Sequence, residues 1–212
     1  MLSSNYCKLD ENEQLVEKMM HNYNSAMKIL KTELEIISEE LQVIHHYSPV
    51  EYIKARIKSC ESISKKLKMR GYEVNIDNVI KYINDVVGIR VVCSFFSDIY
   101  KLVEVLKKTN KFEILEEQDY IKNPKPSGYT SYHLLVSIPI NTIDGIIYVK
   151  AEIQIRTMAM DFWASLEHKI SYKFPGDVPN EIYDELNEIS SNVTAIDNRM
   201  DKLLIEVREY NK

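Results

Sequence analysis

The residues with the most chemistry to offer lie on IYVKAEIQIR, residues 147–156. Taken alternately, Ile147, Val149, Ala151, Ile153 and Ile155 make an apolar row, and Tyr148, Lys150, Glu152, Gln154 and Arg156 make the other. Such alternation predicts a strand with one face on the core. It also sets a carboxylate, an amide and a guanidinium side by side on the opposite surface. A solvated outer face has the same pattern in antiparallel sheets, so the chemistry depends on what else reaches that surface. Asp85 is the second carboxylate that the strand patterns bring there. It precedes VVGIRVVCSFF (86–96), a near-continuous apolar run of the kind found in a central strand covered on both faces. Arg90 interrupts that run, and a charge inside a central strand is costly unless it is paired or faces a cleft. Gly88 permits close backbone approach. Two carboxylates from different strands suit a hard cation such as Mg2+, completed by water and substrate phosphates, although 32 Asp and Glu are available to choose from.

Phosphate binding would have to rest on side chains. The chain has no GxxxxGK[ST] and no GxGxxG, so neither of the glycine-rich cradles applies. Lys54, Arg56, Lys58, Lys65, Lys66, Lys68 and Arg70 crowd one stretch, opposed only by Glu61. A charge run is most often a solvated face, but a one-signed cluster in an acidic chain is what a nucleoside triphosphate needs. The loop IKNPKPSG (121–128) adds Lys122 and Lys125. Beyond it, Tyr129 and His133 fall on one face of a predicted strand, where they could stack on a nucleobase and bond to it. For either residue alone, an aromatic at a strand start and a satisfied core histidine are the plainer alternatives. No serine or cysteine is recognisably paired with a histidine, and Glu167 and His168, at successive helix positions, do not face each other.

The elements that must position these residues follow from periodicity. With 212 residues, 45% of them hydrophobic, the chain can bury a real core in one domain. A net charge of −5 argues against broad, non-specific nucleic-acid binding and leaves room for a local basic patch. Cys7, Cys60 and Cys93 are far apart with no CxxC, which suggests neither a zinc site nor a disulfide framework and fits a reducing cytoplasm. Residues 1–4 begin no signal peptide, and no apolar run is long enough to span a bilayer. Residues 1–12 are polar and expected to fray. Val16, Met20, Tyr23, Met27, Leu30, Leu34, Ile37, Leu41 and Ile44 step by four and three, which predicts a long helix with an a/d seam. His45 and His46 close it as exposed cations. Ser48 and Pro49 are expected to cap and start a second helix, running to about Arg70 with Ile53, Ile57, Cys60, Ile63 and Leu67 buried. Gly71 ends it.

Further helices are expected at 77–84, 97–110 and 158–172, and strands at 86–96, 111–120 and 129–139. Asp144-Gly145 makes a hairpin turn into the strand at 147–156. Pro175-Gly176 breaks the chain before a last helix at 180–210, where Ile182, Leu186, Ile189, Val193, Ile196, Met200, Leu203 and Val207 repeat the four-and-three step. The expected fold is α/β (α+β), with a mixed sheet of about five strands flanked by helices. Residues 1–212 form one domain, with an N-terminal helix in 1–47, a catalytic core in 48–175 and a C-terminal helix in 176–212. Two heptad seams on one small domain favour a homo-oligomer.

Four motifs then point to a family. DVVGIR (85–90), KPSGYTSYH (125–133), AEIQIRT (151–157) and FWASLEH (162–168) resemble, in order and spacing, the synthetase domain of the RelA/SpoT alarmone enzymes. RIKSCESISKKL (56–67) resembles that family's ATP-side helix. The resemblance covers about residues 45–175, and the whole chain looks like the small stand-alone synthetases, particularly the RelQ type. It implies a nucleotidyltransferase-like synthetase fold and the transfer of pyrophosphate from ATP to the ribose 3′-hydroxyl of GDP, GTP or GMP. The products would be ppGpp, pppGpp or pGpp, with AMP released. By the same resemblance Arg56 and Arg90 sandwich adenine, while Lys58 and Lys66 hold the ATP phosphates. Asp85 and Glu152 bind Mg2+, and Glu152 also takes the proton of the 3′-hydroxyl. Lys125 meets the acceptor phosphates, Tyr129 stacks on guanine, and His133 and Gln154 fix the acceptor.

The long bifunctional members carry a hydrolase with an adjacent His-Asp pair. No such dipeptide occurs here, so hydrolysis is not expected. One departure is Gln118, which stands where the small synthetases often have a basic residue beside the acceptor phosphates. It leaves the preference among GMP, GDP and GTP open. The RelQ type forms tetramers through its terminal helices and binds pppGpp between subunits. A tetramer is therefore the expected assembly, but no motif here carries that second nucleotide site. Two alternatives stand beside this one. The first is a toxin relative that uses adenine nucleotides or transfer RNA as acceptor. The second is a non-catalytic regulator that binds single-stranded RNA or senses alarmones, which a lost metal acid would signal.

Overall fold

The computed structural model describes residues 13–173 and 179–210. The expected fraying of 1–12, Cys7 and the break at Pro175-Gly176 lie outside the described residues. The chain runs α1 (Glu13–His45), β1 (Val50–Ile57), α2 (Cys60–Met69), α3 (Ile76–Tyr82), β2 (Val87–Cys93) and α4 (Phe96–Leu106). It continues with β3 (Glu113–Asp119), β4 (Tyr132–Thr142), β5 (Gly145–Thr157), α5 (Met158–Lys173) and α6 (Asn180–Tyr210). The strands form one mixed sheet in the order β1-β2-β5-β4-β3. The β2–β5 pair is parallel and the other neighbours are antiparallel.

One face of the sheet is the core. Val149, Ala151, Ile153 and Ile155 of β5 are buried with Leu134, Val136 and Ile138 of β4 and Ile89 and Val91 of β2. The N-terminal helix α1 lies across this face, touching β1, β2, β4 and β5. Its buried row is Val16, Met19, Tyr23, Ala26, Leu30, Leu34, Ile37 and Leu41. The seam expected from the sequence is thus an internal face of the fold. Met20 and Met27 sit at its margin, and Ile44 is exposed. A straight helix drifts relative to a strict heptad, so Met19 and Ala26 take the inward positions.

The expected second helix is corrected. Residues 50–57 form the edge strand β1, and the helix starts only at Cys60, capped by Ser59, whose side chain accepts from Ser62 N–H. VEYIKARI satisfies both periods, since Ile53 and Ile57 are four apart while Ile53, Ala55 and Ile57 alternate. Pairing with β2 decides between them, with Ile53 opposite Val91 and Ala55 opposite Ile89. Ser48, expected to cap a helix, instead donates to Val50 O at 2.6 Å. The expectation about disulfides is corrected as well, because Cys60 is disulfide-bonded. Spacing along the chain does not report which thiols meet in space. Cys93 is a free thiol whose pKa burial pushes up.

The C-terminal helix α6 also departs from its pattern. Of its heptad row Leu186 is buried, whereas Ile189, Ile196, Met200, Leu203 and Val207 are exposed. The face turned inward is largely polar. Thr157 Oγ1 donates to Asp197 Oδ2 at the end of β5, Ser190 Oγ donates to Gly128 O, and Ser97 N–H donates to Asp201 Oδ1.

Burial raises the Asp197 carboxyl, and the charge of Asp201 adds to it, while the Thr157 hydrogen bond partly offsets both. The folded state therefore binds this proton more tightly than the unfolded state. The ionised form weakens the fold at neutral pH, and the penalty fades as pH falls through the raised folded value toward the unfolded one. Asp197→Asn, which keeps an acceptor for Thr157, should raise the melting temperature at pH 7. The gain should shrink as pH drops to about 4, near the ordinary Asp value. Thermal unfolding across that range checks it, and an equal or lower melting temperature at pH 7 contradicts it.

Candidate active site

The second face of the sheet carries the polar residues, and strand register lines them up in rungs. One rung crosses all the strands as Lys54, Arg90, Gln154, His133 and Gln118. The next reads Arg56, Gly88, Glu152, Leu135 and Glu116. Residues two apart on a strand share a face, so both rungs open on the same side. Lys58 leaves β1 with its N–H bonded to Val86 O at 2.8 Å. That contact sets the Lys58 side chain against Asp85, just before β2.

Asp85 is held by two lysines. Lys58 Nζ lies 2.6 Å from Oδ2, and Lys66 Nζ, from α2, lies 2.9 Å from Oδ1. Burial alone would raise this carboxyl, but the bonds and charges of Lys58 and Lys66 outweigh it and keep it below the usual range. Glu152 is arranged similarly. Gln154 Nε2 donates to Oε2 at 2.6 Å, and His133 Nδ1 lies 3.4 Å from Oε1. Burial raises Glu152, the His133 and Gln154 contacts outweigh it, and the nearby Asp85 charge opposes them, leaving a lowered pKa. Both acids are therefore carboxylates at neutral pH.

The network continues beyond Glu152. Tyr129 OH lies 2.8 Å from His133 Nε2, and Arg156 Nη2 donates to the Tyr129 oxygen at 2.6 Å. A guanidinium can only donate, so the Tyr129 oxygen accepts from Arg156 and its hydrogen is free to turn to Nε2. In that arrangement a neutral His133 carries its proton on Nδ1, facing Glu152. Arg156 also donates to Gln154 Oε1 at 3.1 Å and to Asp161 Oδ1 at 3.0 Å. Arg90 reaches the same Oδ1 at 3.0 Å.

Tyr129 itself precedes β4, in the loop, rather than starting the strand as the sequence suggests. The loop is tight, with Gly128 N–H donating to Lys125 O at 2.8 Å and Lys125 N–H to Tyr129 O at 3.1 Å. Lys125 Nζ sits 4.4 Å from the Tyr120 ring centre and 5.1 Å from that of Tyr129. Tyr129 packs beside Trp163 and Leu186.

These groups line adjoining cavities. A cavity of about 560 Å3 is lined by Arg56, Arg90, Lys125, Tyr129, His133 and Glu152 among others. A slot of about 400 Å3 lies over Gly88 between Arg56 and Arg90. A smaller cavity of about 200 Å3 is lined by Lys66, Arg70, Asp85, Glu116, Gln118 and Glu152. Every site residue expected from the sequence thus falls on this face: Arg56, Lys58, Lys66, Asp85, Arg90, Lys125, Tyr129, His133, Glu152 and Gln154. Arg56 and Lys58 arrive there from a strand and its end, not from the helix expected. The sequence-based reading overlooks Tyr52, Glu116 and Asp161. Among the described residues, no group of three or more His, Cys, Asp or Glu forms a metal cluster. Asp85 and Glu152 supply two hard oxygen ligands in one cavity. That set fits a divalent cation whose other ligands are phosphate oxygens and water.

Cations around two carboxylates, with aromatic rings at one end and a mixed sheet as the floor, make a face suited to a phosphorylated ligand. A family model described as a region found in RelA / SpoT proteins matches residues 55–177, more than half of the chain, and the chain belongs to that family. The GTP pyrophosphokinase YwaC of Bacillus subtilis (strain 168) is 48% identical over 178 residues, covering 84% of this chain and 85% of that protein. Small alarmone synthetase 1 of Bacillus subtilis, solved with its product pppGpp, superposes with a TM-score of 0.85 at 33% identity. The match covers 93% of this chain and 100% of that one. With AMPCPP bound, the TM-score is 0.77 at 31% identity over the same shares.

Gly128 has φ +82, and a Cβ there would fall 2.7 Å from Asn187 Oδ1 and 3.0 Å from Ser190 Cβ on α6. Gly71 has φ +76 with nothing within 4 Å. Gly71→Ala should cost about 1 kcal/mol, from the left-handed backbone alone. Gly128→Ala should cost about 2–4 kcal/mol, because α6 must also shift. Urea unfolding of the two variants measures the difference, and equal losses would contradict the close packing of α6 on this loop.

Proposed function

We propose that the chain is a (p)ppGpp synthetase, a GTP pyrophosphokinase that moves pyrophosphate from ATP to the ribose 3′-hydroxyl of a guanine nucleotide. The observation that carries this reading is the convergence of Asp85 and Glu152 in one cavity, between an arginine-lined slot and the Tyr129–Lys125 end, in a member of the RelA/SpoT family. Arg56 and Arg90 clasp adenine beside Gly88, whose missing side chain lets the Arg56 side chain lie close to the strand. The phosphates run toward Lys58 and Lys66. Guanine stacks on Tyr129, with Lys125 toward the acceptor phosphates and His133 and Gln154 fixing the ribose end beside Glu152.

As the 3′-oxygen bonds to the β-phosphorus, the bond from that phosphorus to the α–β bridging oxygen breaks. AMP leaves with the electron pair, and the hydroxyl proton passes to Glu152. The lowered pKa makes Glu152 a weak base that is ionised and ready. A weak base is enough in a loose phosphoryl-transfer transition state, where positioning and charge neutralisation do most of the work. Asp85 and Glu152 would hold Mg2+, which would neutralise charge on the transferred group.

Acceptor choice rests on Gln118. Its Nε2 donates to Glu116 Oε1 at 2.5 Å, and both residues line the small cavity beside the two acids. A carboxylate there with no cation at position 118 disfavours an extra phosphate, so GDP is preferred over GTP. Both acids are present, which favours turnover over a sensing or RNA-binding role.

The chain acts as one unit, with 48–175 as its catalytic core and the helices of 1–47 and 176–212 flanking it. It works in the cytoplasm, and no helix among the described residues is long and apolar enough to cross a membrane. The exposed row on α6, with Ile196 55% and Leu203 50% exposed, joins copies into a homo-oligomer, with a tetramer favoured.

Two measurements test these proposals. In the first, the protein is incubated with ATP, Mg2+ and GMP, GDP or GTP, and the products are resolved. AMP and a 3′-pyrophosphorylated guanine nucleotide are expected. Glu152→Gln should lower kcat by at least about a hundredfold, and Gln118→Arg should shift preference toward GTP by about tenfold. No AMP with any acceptor refutes the function. In the second, light scattering after size exclusion should give the mass of an oligomer for the wild type and of a smaller species for Ile196→Asp combined with Leu203→Asp. A monomeric wild type refutes the assembly.

A further inference from the structure

Asp161 holds three groups from separate parts of the fold. Its Oδ1 accepts from Arg156 Nη1 of β5 at 3.0 Å and forms an ion pair with Arg90 Nη1 of β2, also at 3.0 Å, and its Oδ2 accepts from Tyr52 OH of β1 at 2.7 Å. The carboxylate is fixed in turn by its place in the first turn of α5. This helix follows β5 without a loop, and Met160 N–H donates to Thr157 Oγ1 at 3.1 Å. Asp161 and Arg156 are almost wholly buried, with side chains 8% and 5% exposed, while Arg90 is 30% exposed and lines the slot. Two guanidiniums this close repel unless an anion sits between them. Arg90 Nε and Arg156 Nε are buried and make no hydrogen bond among the described residues. The terminal nitrogens therefore orient both groups.

We infer that Asp161 is a positioning residue that sets the ATP side and the acceptor side of the site from a single carboxylate. On one side it aims Arg90 at the slot over Gly88. On the other it fixes Arg156, whose second terminal nitrogen holds the Tyr129 hydroxyl at 2.6 Å and Gln154 Oε1 at 3.1 Å. The inference rests on the functional assignment above, because it takes Arg90 as an adenine contact and Tyr129 as the guanine platform. Removing the negative charge frees both at once, although Asp161 itself touches neither nucleotide.

The test is equilibrium binding of AMPCPP and of GDP, measured separately in Mg2+ by calorimetry, on the full chain. Asp161→Asn keeps the shape and removes the charge. It should weaken both nucleotides by about tenfold, the loss expected for a charged hydrogen bond, and should raise both KM values in steady state. Arg90→Ala should weaken AMPCPP and leave GDP within about twofold, as expected for a cation that serves one side. Tyr52→Phe removes one bond and no charge, so it should weaken both nucleotides by a smaller factor of about three. It supplies the answer if Asp161→Asn melts below the assay temperature. A folded Asp161→Asn or Tyr52→Phe that loses AMPCPP alone, GDP alone or neither overturns the inference. Wild-type protein that binds neither nucleotide instead overturns the functional assignment, so the two failures are distinguishable.

Discussion

Parallel pairing of β2 with β5 sets Gly88 against Glu152 and Arg90 against Gln154. Parallel neighbours cannot be joined by a tight turn. The chain leaves β2 through α4, lays down β3 and β4 on the far side, and returns along β5. The long way round is what populates the site. The β3–β4 connection becomes the loop that carries Lys125 and Tyr129, and β4 delivers His133 beside Gln154. Residues from 52 to 161 meet on one face because this one pairing puts their strands in register.

Charge is the second constraint. Carboxylates taken out of water are costly unless donors replace the lost solvent. Asp85, Glu152 and Asp161 each have both oxygens engaged or in close contact. In return they hold their partners in place, with Lys58 and Lys66 on one, His133 and Gln154 on the next, and Arg90 and Arg156 on the last. An acidic protein thereby keeps a local surplus of fixed positive groups, as a binding face for polyanions requires. Away from this face the pattern differs. Asp197 has Thr157 as its hydrogen-bond donor and Asp201 as a neighbouring charge, and its pKa is raised rather than lowered.

Much of the fold was legible because period and burial agree. Strand β5 and helices α1 and α6 appear where alternation and the four-and-three step place them. Legibility failed where one sequence satisfies two periods. VEYIKARI fits a helix stripe and a strand row equally, and only the partner strand β2 selects the latter. It failed again where a seam reports an apolar row but not its partner. The α1 row is buried under its own sheet, while most of the α6 row is exposed, because α6 docks through Ser190, Asp197 and Asp201 instead. Periodicity shows that a helix has an apolar side, and it is silent on whether hydrogen bonds will claim the opposite side.

The candidate site divides the same way. Glu152, Gln154 and Arg156 share a surface by alternation alone, and the family motifs supplied the roles expected of the rest. Alternation leaves open whether Arg156 meets a phosphate or a neighbouring carboxylate. The geometry settles on the carboxylate, with Arg156 bonded to Asp161 and Tyr129 and only 4% exposed. Asp161 itself was invisible in the sequence. It sits beside Phe162 in a helix whose apolar row draws the eye, and a lone acid in a first turn is ordinary, since it complements the helix dipole. Its partners lie 109 residues away at Tyr52 and across the sheet at Arg90. No local pattern encodes such a contact, because the strand order creates it. Residues that touch a ligand leave motifs, whereas a residue that aims them is legible only once the chain is folded.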